Sequence, residues 1–140
     1  MRICIDSCAF IHALQESDPD AAHLLDEIGS GLTLVIPRLV AQEVTRNLQT
    51  PEQVRRFYRL FRATDFAWIV DEPTPRDLVE KYTQLGLPEK ADAFIGAFSE
   101  WMEVRCLISD NRHFLRELHT SAFVVLQAGE FRMRWKSGEF

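Results

Sequence analysis

Met1-Arg2-Ile3-Cys4-Ile5-Asp6-Ser7 begins with a short apolar run that ends at a carboxylate and a hydroxyl. Three consecutive apolar residues, two of them β-branched, are too few for a helix and read as a strand, after which helical spacing starts at Ser7. The same kind of run recurs at Leu32 to Ile36, Ala67 to Val70, Cys106 to Ile108 and Phe123 to Leu126. Longer stretches with helical spacing lie between them. Strands that alternate with helices call for a parallel sheet covered on both faces, so the sequence predicts an α/β fold. In such sheets ligands gather beyond the carboxyl ends of the strands, near a topological switch point. The residues directly after each strand are therefore the first to inspect.

The helices can be placed from their ends. Ser7 to Gln15 follows the first strand, and Asp20 to Ile28 carries Ala21, Leu24, Leu25 and Ile28 at helical spacing before Gly29. Pro37 suits the first turn of a third helix reaching Leu48. Thr50-Pro51 starts a fourth, with Val54, Phe57, Tyr58 and Phe61 on one stripe and arginines on another. Pro73-Thr74-Pro75 opens a fifth that stops near Gly86, Pro88 opens a sixth through Trp101, and a short one follows Asn111. Phe131, Met133 and Trp135 alternate with Arg132, Arg134 and Lys136, which predicts a terminal edge strand.

With 140 residues, 46% hydrophobic and 26% charged, the chain is expected to form one domain, 1–140, on its own core, with a folded surface of about 7,400 Å². Disordered and fibrous classes are excluded by composition. No apolar run approaches the roughly 20 residues of a bilayer span, so neither a membrane helix nor a signal peptide is expected. Cys4, Cys8 and Cys106 are odd in number and include no Cys-x-x-Cys, which fits a reducing cytoplasm. A net charge of −5 argues against a surface that clamps nucleic acid all over, while leaving local basic patches open.

Four carboxylates stand out. Asp6 directly follows the first strand, and Asp110 follows the fourth within Ile108-Ser109-Asp110-Asn111. Either acid could instead cap the next helix. Glu43 lies beside the stripe of Leu39, Val40 and Val44 that faces the core, where a carboxylate costs several kcal/mol unless it is paired or holds a cation. Asp92 begins the sixth helix on a flank shared with Gly96 and Ser99, small neighbours that leave room for a ligand; an acid favouring the helix dipole is the plainer reading. Caps do not account for acids after two strands together with acids on two helices. Converging carboxylates repel unless a hard cation neutralises them, and oxygen ligands select Mg²⁺ or Mn²⁺ over zinc.

Asp6-Ser7 after an amino-terminal strand, Val35-Ile36-Pro37 leading to Val40-x-x-Glu43-Val44, Lys90-Ala91-Asp92-Ala93-Phe94-Ile95, and Leu107 to Phe114 together resemble a PIN domain. The ordered set spans nearly the whole chain and is similar to the small prokaryotic PIN proteins, among them VapC-type toxins. The resemblance implies a three-layer α/β/α sandwich around a mostly parallel sheet of about five strands. It also implies a metal-dependent ribonuclease. The family's first three acids match Asp6, Glu43 and Asp92; the fourth position matches Asp110 or Asn111, and Cys8 stands where the family frequently has Asn. An antitoxin protein that blocks the site, and a homodimer, are implied as partners.

If these acids hold Mg²⁺ or Mn²⁺, the chemistry they support is phosphodiester hydrolysis by water of lowered pKa. Ser7 and Ser109 could orient that water or a phosphate oxygen, or could simply bond the local backbone. The RNA backbone would need basic residues: Arg55, Arg56, Arg59 and Arg62, Arg112 and Arg116, or the Arg132-Met133-Arg134-Trp135-Lys136 tail. Each is equally readable as a solvated or edge-strand face. His12, His23, His113 and His119 add no metal pair. A phosphoacceptor domain of the receiver type would want paired acids after the first strand and a Lys after the last, where this chain has a single Asp6 and Gln127. A catalytically weak or inactive PIN-fold module that binds RNA or a protein remains the alternative.

Overall fold

In a computed structural model, which describes residues 1–87 and 90–140, five strands form one parallel sheet. They are β1 (Arg2–Ile5), β2 (Thr33–Pro37), β3 (Ala67–Val70), β4 (Cys106–Ile108) and β5 (Val124–Leu126), in the order β3-β2-β1-β4-β5. Ile3 pairs with Leu34 on one side and with Cys106 on the other. The chain lays β2 and β3 to one side of β1, then β4 and β5 to the other. The topological switch therefore falls between the carboxyl ends of β1 and β4, where a parallel sheet opens a crevice.

The helices are α1 (Ser7–Leu14), α2 (Pro19–Asp26), α3 (Arg38–Asn47), α4 (Pro51–Ala63), α5 (Arg76–Gln84), α6 (Lys90–Trp101) and α7 (Ala128–Lys136), with a π-helical turn at His113–Glu117. Every residue of β4, and Ile3, Cys4, Ile5, Leu34, Val35 and Ile36 of β1 and β2, is at most 1% exposed, so the central strands are covered on both faces. That is why they read as continuous apolar runs rather than alternating ones. α1 packs on α2, α3 and α4, α2 on α7, and α5 pairs with α6. The accessible surface, 7594 Å², matches the scaling expected for this mass. No helix among the described residues is long and apolar enough to cross a membrane.

Local chemistry sets the ends. Asp18 caps α2 through its side chain to the Asp20 and Ala21 amides, so this helix starts at Pro19, one residue before the expected Asp20, and ends at Asp26, before Ile28. Thr50 and Gln53 form a reciprocal capping box at α4. Pro37 is not in the first turn of α3. It ends β2, pairs with Val70, and serves as the cap in extended conformation. The expected helix start at Pro88 lies outside the described residues.

Two expectations are corrected. The carboxyl-terminal segment is a helix, α7, rather than an edge strand: Ala128 and Phe131 share the buried face of one helix, and Trp135, four residues after Phe131, stacks on its ring at 6.3 Å. Alternation also places residues 131 and 135 four apart, which is one helical turn. Arg132 is carried inward to Asp20 of α2 at 2.7 Å and to Glu27 at 3.6 Å. The small flank of α6 is likewise filled. A Cβ on Gly96 would stand 2.8 Å from the Tyr82 ring and 3.0 Å from Leu87, so glycine there admits α5 rather than a ligand. Ser99 is fully buried and turns its hydroxyl back to the Ile95 carbonyl at 2.9 Å.

Candidate active site

At the switch point the backbone places Asp6. Its amide donates to the Ile108 carbonyl of β4 at 2.9 Å, which extends the β1–β4 ladder by one residue and sets Asp6 at the cap of α1. Both carboxylate oxygens are engaged: Oδ1 accepts from the Ser7 amide at 2.8 Å and Oδ2 from the Ser109 hydroxyl at 3.0 Å. Asp6 is thus a helix cap and a site residue at once. It is 4% exposed.

Burial pushes the Asp6 carboxyl up to about 6 from its usual value near 3.8. The Ser109 and Ser7 hydrogen bonds oppose that rise by favouring the charged form, while the neighbouring charges of Asp92 and Glu43 add to it. Asp92, also buried, lies in the first turn of α6 and receives the Asn111 side-chain amide on Oδ1 at 3.4 Å. Glu43 lies on α3, half-buried, and enters no ion pair among the described residues. An arginine partner, the structural explanation for a carboxylate beside an apolar stripe, is absent from that set.

The two residues that compete for the fourth position part company. Ser109 is fully buried, gives its proton to Asp6 and accepts the Asn111 amide at 3.0 Å, so the turn is folded around this hydroxyl. Asn111 then points Nδ2 at Asp92 and Oδ1 at the His113 amide, 2.9 Å away. Asp110 faces the other way, with Oδ2 3.4 Å from His12 Nδ1 and Oδ1 accepting from Gln127 at 3.4 Å. Asn111 is therefore on the Asp92 side and Asp110 on the His12 side. His113 is tied to Glu117 on its own turn, a bond that raises its pKa.

Two neighbours carried no clear signal as isolated residues. Cys8 on α1 is exposed, and its thiol pKa is raised by partial burial and by the charges of Asp6, Asp110, Glu43 and Asp92. His12 follows Cys8 by one helical turn and meets Asp110 from β4. The i, i+4 spacing was readable; the loop that completes the contact was not.

The donor chemistry suits a hard divalent cation. The acids offer oxygen ligands, Asp6 is 4% exposed, and burial raises its proton affinity with two further carboxylates adding to the rise, which is the condition a cation relieves. No three His, Cys, Asp or Glu side chains among the described residues close into a ready metal shell. An ion that keeps much of its own water, as Mg²⁺ does, requires no such closure.

The sequence matches the model of the PIN domain family over residues 3–128. A chain in the crystal structure of VapBC2 from Rickettsia felis, bound to a DNA fragment from their promoter, superimposes with a TM-score of 0.62 at 13% identity. The superposition covers 91% of this chain and 98% of that one, a likeness of fold. No curated protein matches the sequence.

Proposed function

The chain belongs to the PIN domain family, and from that premise we propose that it is a metal-dependent endoribonuclease, the toxin of a toxin-antitoxin pair or a close relative. The observation that carries the reading is the buried Asp6, held by Ser109 and Ser7 between the charges of Asp92 and Glu43 at the carboxyl ends of β1 and β4. A lone capping aspartate would have no need of two more acids whose charge opposes its ionisation.

Asp6, Asp92 and Glu43 would hold Mg²⁺ or Mn²⁺, with Asp110 or Asn111 at the fourth position. Such a cation, when bound, supplies Lewis acidity toward a phosphoryl oxygen and toward water. The remaining work falls to the chain's own groups. Ser109 and the Ser7 amide keep Asp6 ionised and fix its rotamer. Asn111 orients Asp92 and adds a neutral amide where an acid would add charge. Arg112 and Arg116, on the turn directly after Asn111, are exposed and enter no ion pair among the described residues, so both are available to phosphate.

An antitoxin partner and a homodimer are part of this reading; both rest on the resemblance to VapC-type toxins, and the VapBC2 neighbour supports only the antitoxin partner. The test is incubation of the purified protein with a mixed single-stranded and structured RNA panel in Mg²⁺, Mn²⁺ or EDTA, beside Asp6→Asn and Asp92→Asn. Cleavage that requires the metal and disappears in both variants supports the nuclease. No cleavage together with no Mn²⁺ binding by calorimetry supports the alternative, a PIN-fold module that binds without cutting.

A further inference from the structure

An acidic crevice repels the polyanion it is proposed to cut, so affinity for the RNA backbone must be supplied elsewhere. The tertiary structure engages three of the basic residues that could supply it. Arg132 is engaged by Asp20 and Glu27, Arg134 by Glu130 and Glu139, and Arg56 by Glu16. On α4, however, Arg55, Arg59 and Arg62 are exposed and enter no ion pair among the described residues. They stand at i, i+4 and i+7, on one face of the helix, over about 10 Å of its length.

Tyr58 lies beside them, 44% exposed, its ring set edge-on against the buried Phe57 with centroids 5.2 Å apart. The only acid on α4 is Glu52, in its first turn, and Asp26 lies across the groove that Arg59 borders. In a chain of net charge −5, three unpaired guanidiniums in a row are a local reversal of sign. α4 also packs on α1, the helix that Asp6 caps.

We propose that the Arg55, Arg59 and Arg62 face of α4, with Tyr58, is a binding surface for the backbone of single-stranded RNA, separate from the acids that would cut it. Guanidiniums spaced along one face contact successive phosphates, and a fixed, exposed ring offers a base a stacking partner without sequence preference. The inference rests on the nuclease reading only for the identity of the polyanion.

The test is fluorescence anisotropy of a labelled single-stranded RNA of mixed sequence, titrated with the full chain in EDTA from 50 to 200 mM salt. Wild type is compared with Arg55→Gln/Arg59→Gln/Arg62→Gln and with a control that removes the same charge from exposed sites elsewhere, Arg76→Gln/Lys81→Gln/Arg105→Gln. Thermal melts of all three proteins establish that each is folded. The α4 variant should lose at least tenfold in affinity at the lowest salt, and its slope of log K against log salt should fall by about 2, since each lost single-strand phosphate contact removes about 0.7. The control should keep the wild-type slope. Equal losses in both variants, or none in the α4 variant, overturn the surface. RNA binding through α4 with no cleavage in either metal leaves the surface standing and overturns the nuclease. Cleavage by wild type with an α4 variant that binds as before does the reverse, and a wild type that neither binds nor cuts RNA overturns both.

Discussion

The Ser109 hydroxyl donates to Asp6 Oδ2 at 3.0 Å across 103 residues of sequence, joining the ends of β1 and β4 where the order of strand addition reverses. A hydrogen bond to a buried charged group is worth about 1.5–3 kcal/mol. This one keeps ionised a carboxylate that burial and two neighbouring acids push toward its neutral form.

Ser109→Ala should therefore raise the Asp6 pKa above about 6 and weaken divalent-cation binding near neutral pH. Calorimetric titration with Mn²⁺ at pH 6.5 should show affinity lower by roughly tenfold or more, with the gap narrowing at pH 8, where Asp6 is ionised in both proteins. An unchanged affinity at pH 6.5 would mean that Asp6 does not bind the ion.

Asp6 should make the metal-free protein less stable as pH rises. Its folded pKa, about 6, lies above the usual value near 3.8, so the folded state binds the proton more tightly than the unfolded one. The associated stability is fully present below about pH 3.8 and is lost as pH rises through about 6. Asp6→Asn, whose side-chain oxygen can still accept from the Ser7 amide, should be more stable than metal-free wild type above pH 7 by on the order of 2–3 kcal/mol, and should lose that advantage toward pH 4. Urea melts in EDTA at pH 4.5 and 7.5 decide it.

The fourth position can be assigned by adding or removing one charge. Asn111→Asp places a further carboxylate opposite Asp92; it should tighten Mn²⁺ binding several-fold and lower the melting temperature in EDTA. Asp110→Asn should change Mn²⁺ affinity by less than about twofold, because that carboxylate is turned to His12 and Gln127. Paired calorimetry and melts on the two variants read both effects. The opposite pattern would place Asp110 at the metal.

Gly96→Ala should destabilise the fold by about 1–3 kcal/mol, since the added methyl meets the buried Tyr82 ring at 2.8 Å and Leu87 at 3.0 Å. Tyr82 cannot yield easily: its ring stacks on Phe123 with centroids 5.9 Å apart and its hydroxyl is bonded to Thr120 at 3.0 Å. A melt by circular dichroism is sufficient, and unchanged stability would show that α5 can slide over α6.

Much of the fold was legible because its central strands are buried on both faces, which turns each of them into an apolar run between polar boundaries. Ile3 to Ile5 and Cys106 to Ile108 carry that signal without ambiguity. The carboxyl-terminal helix differs from the expected strand because residues 131 and 135 satisfy both periods, and the deciding partners, Asp20 and Glu27, lie more than a hundred residues earlier. Gly96 reads as open space from sequence for the same reason: the side chains that fill it, Tyr82 and Leu87, are not its helical neighbours. A small residue marks a close approach, and its sequence neighbourhood does not say whether a helix or a ligand makes it.

Local sequence determined the element types, their order, and hence that Asp6 and Ser109 stand after strands while Glu43 and Asp92 ride on helices, because periodicity, strand ends and caps depend on neighbours in the chain. The tertiary structure alone decided that Ser109 serves Asp6, that Asn111 rather than Asp110 turns to Asp92, and that Arg55, Arg59 and Arg62 of α4 enter no ion pair among the described residues while the arginines of α7 are engaged. Hydrogen-bond direction, desolvation and charge pairing depend on groups brought together from distant parts of the chain, and they exist only once the sheet has assembled.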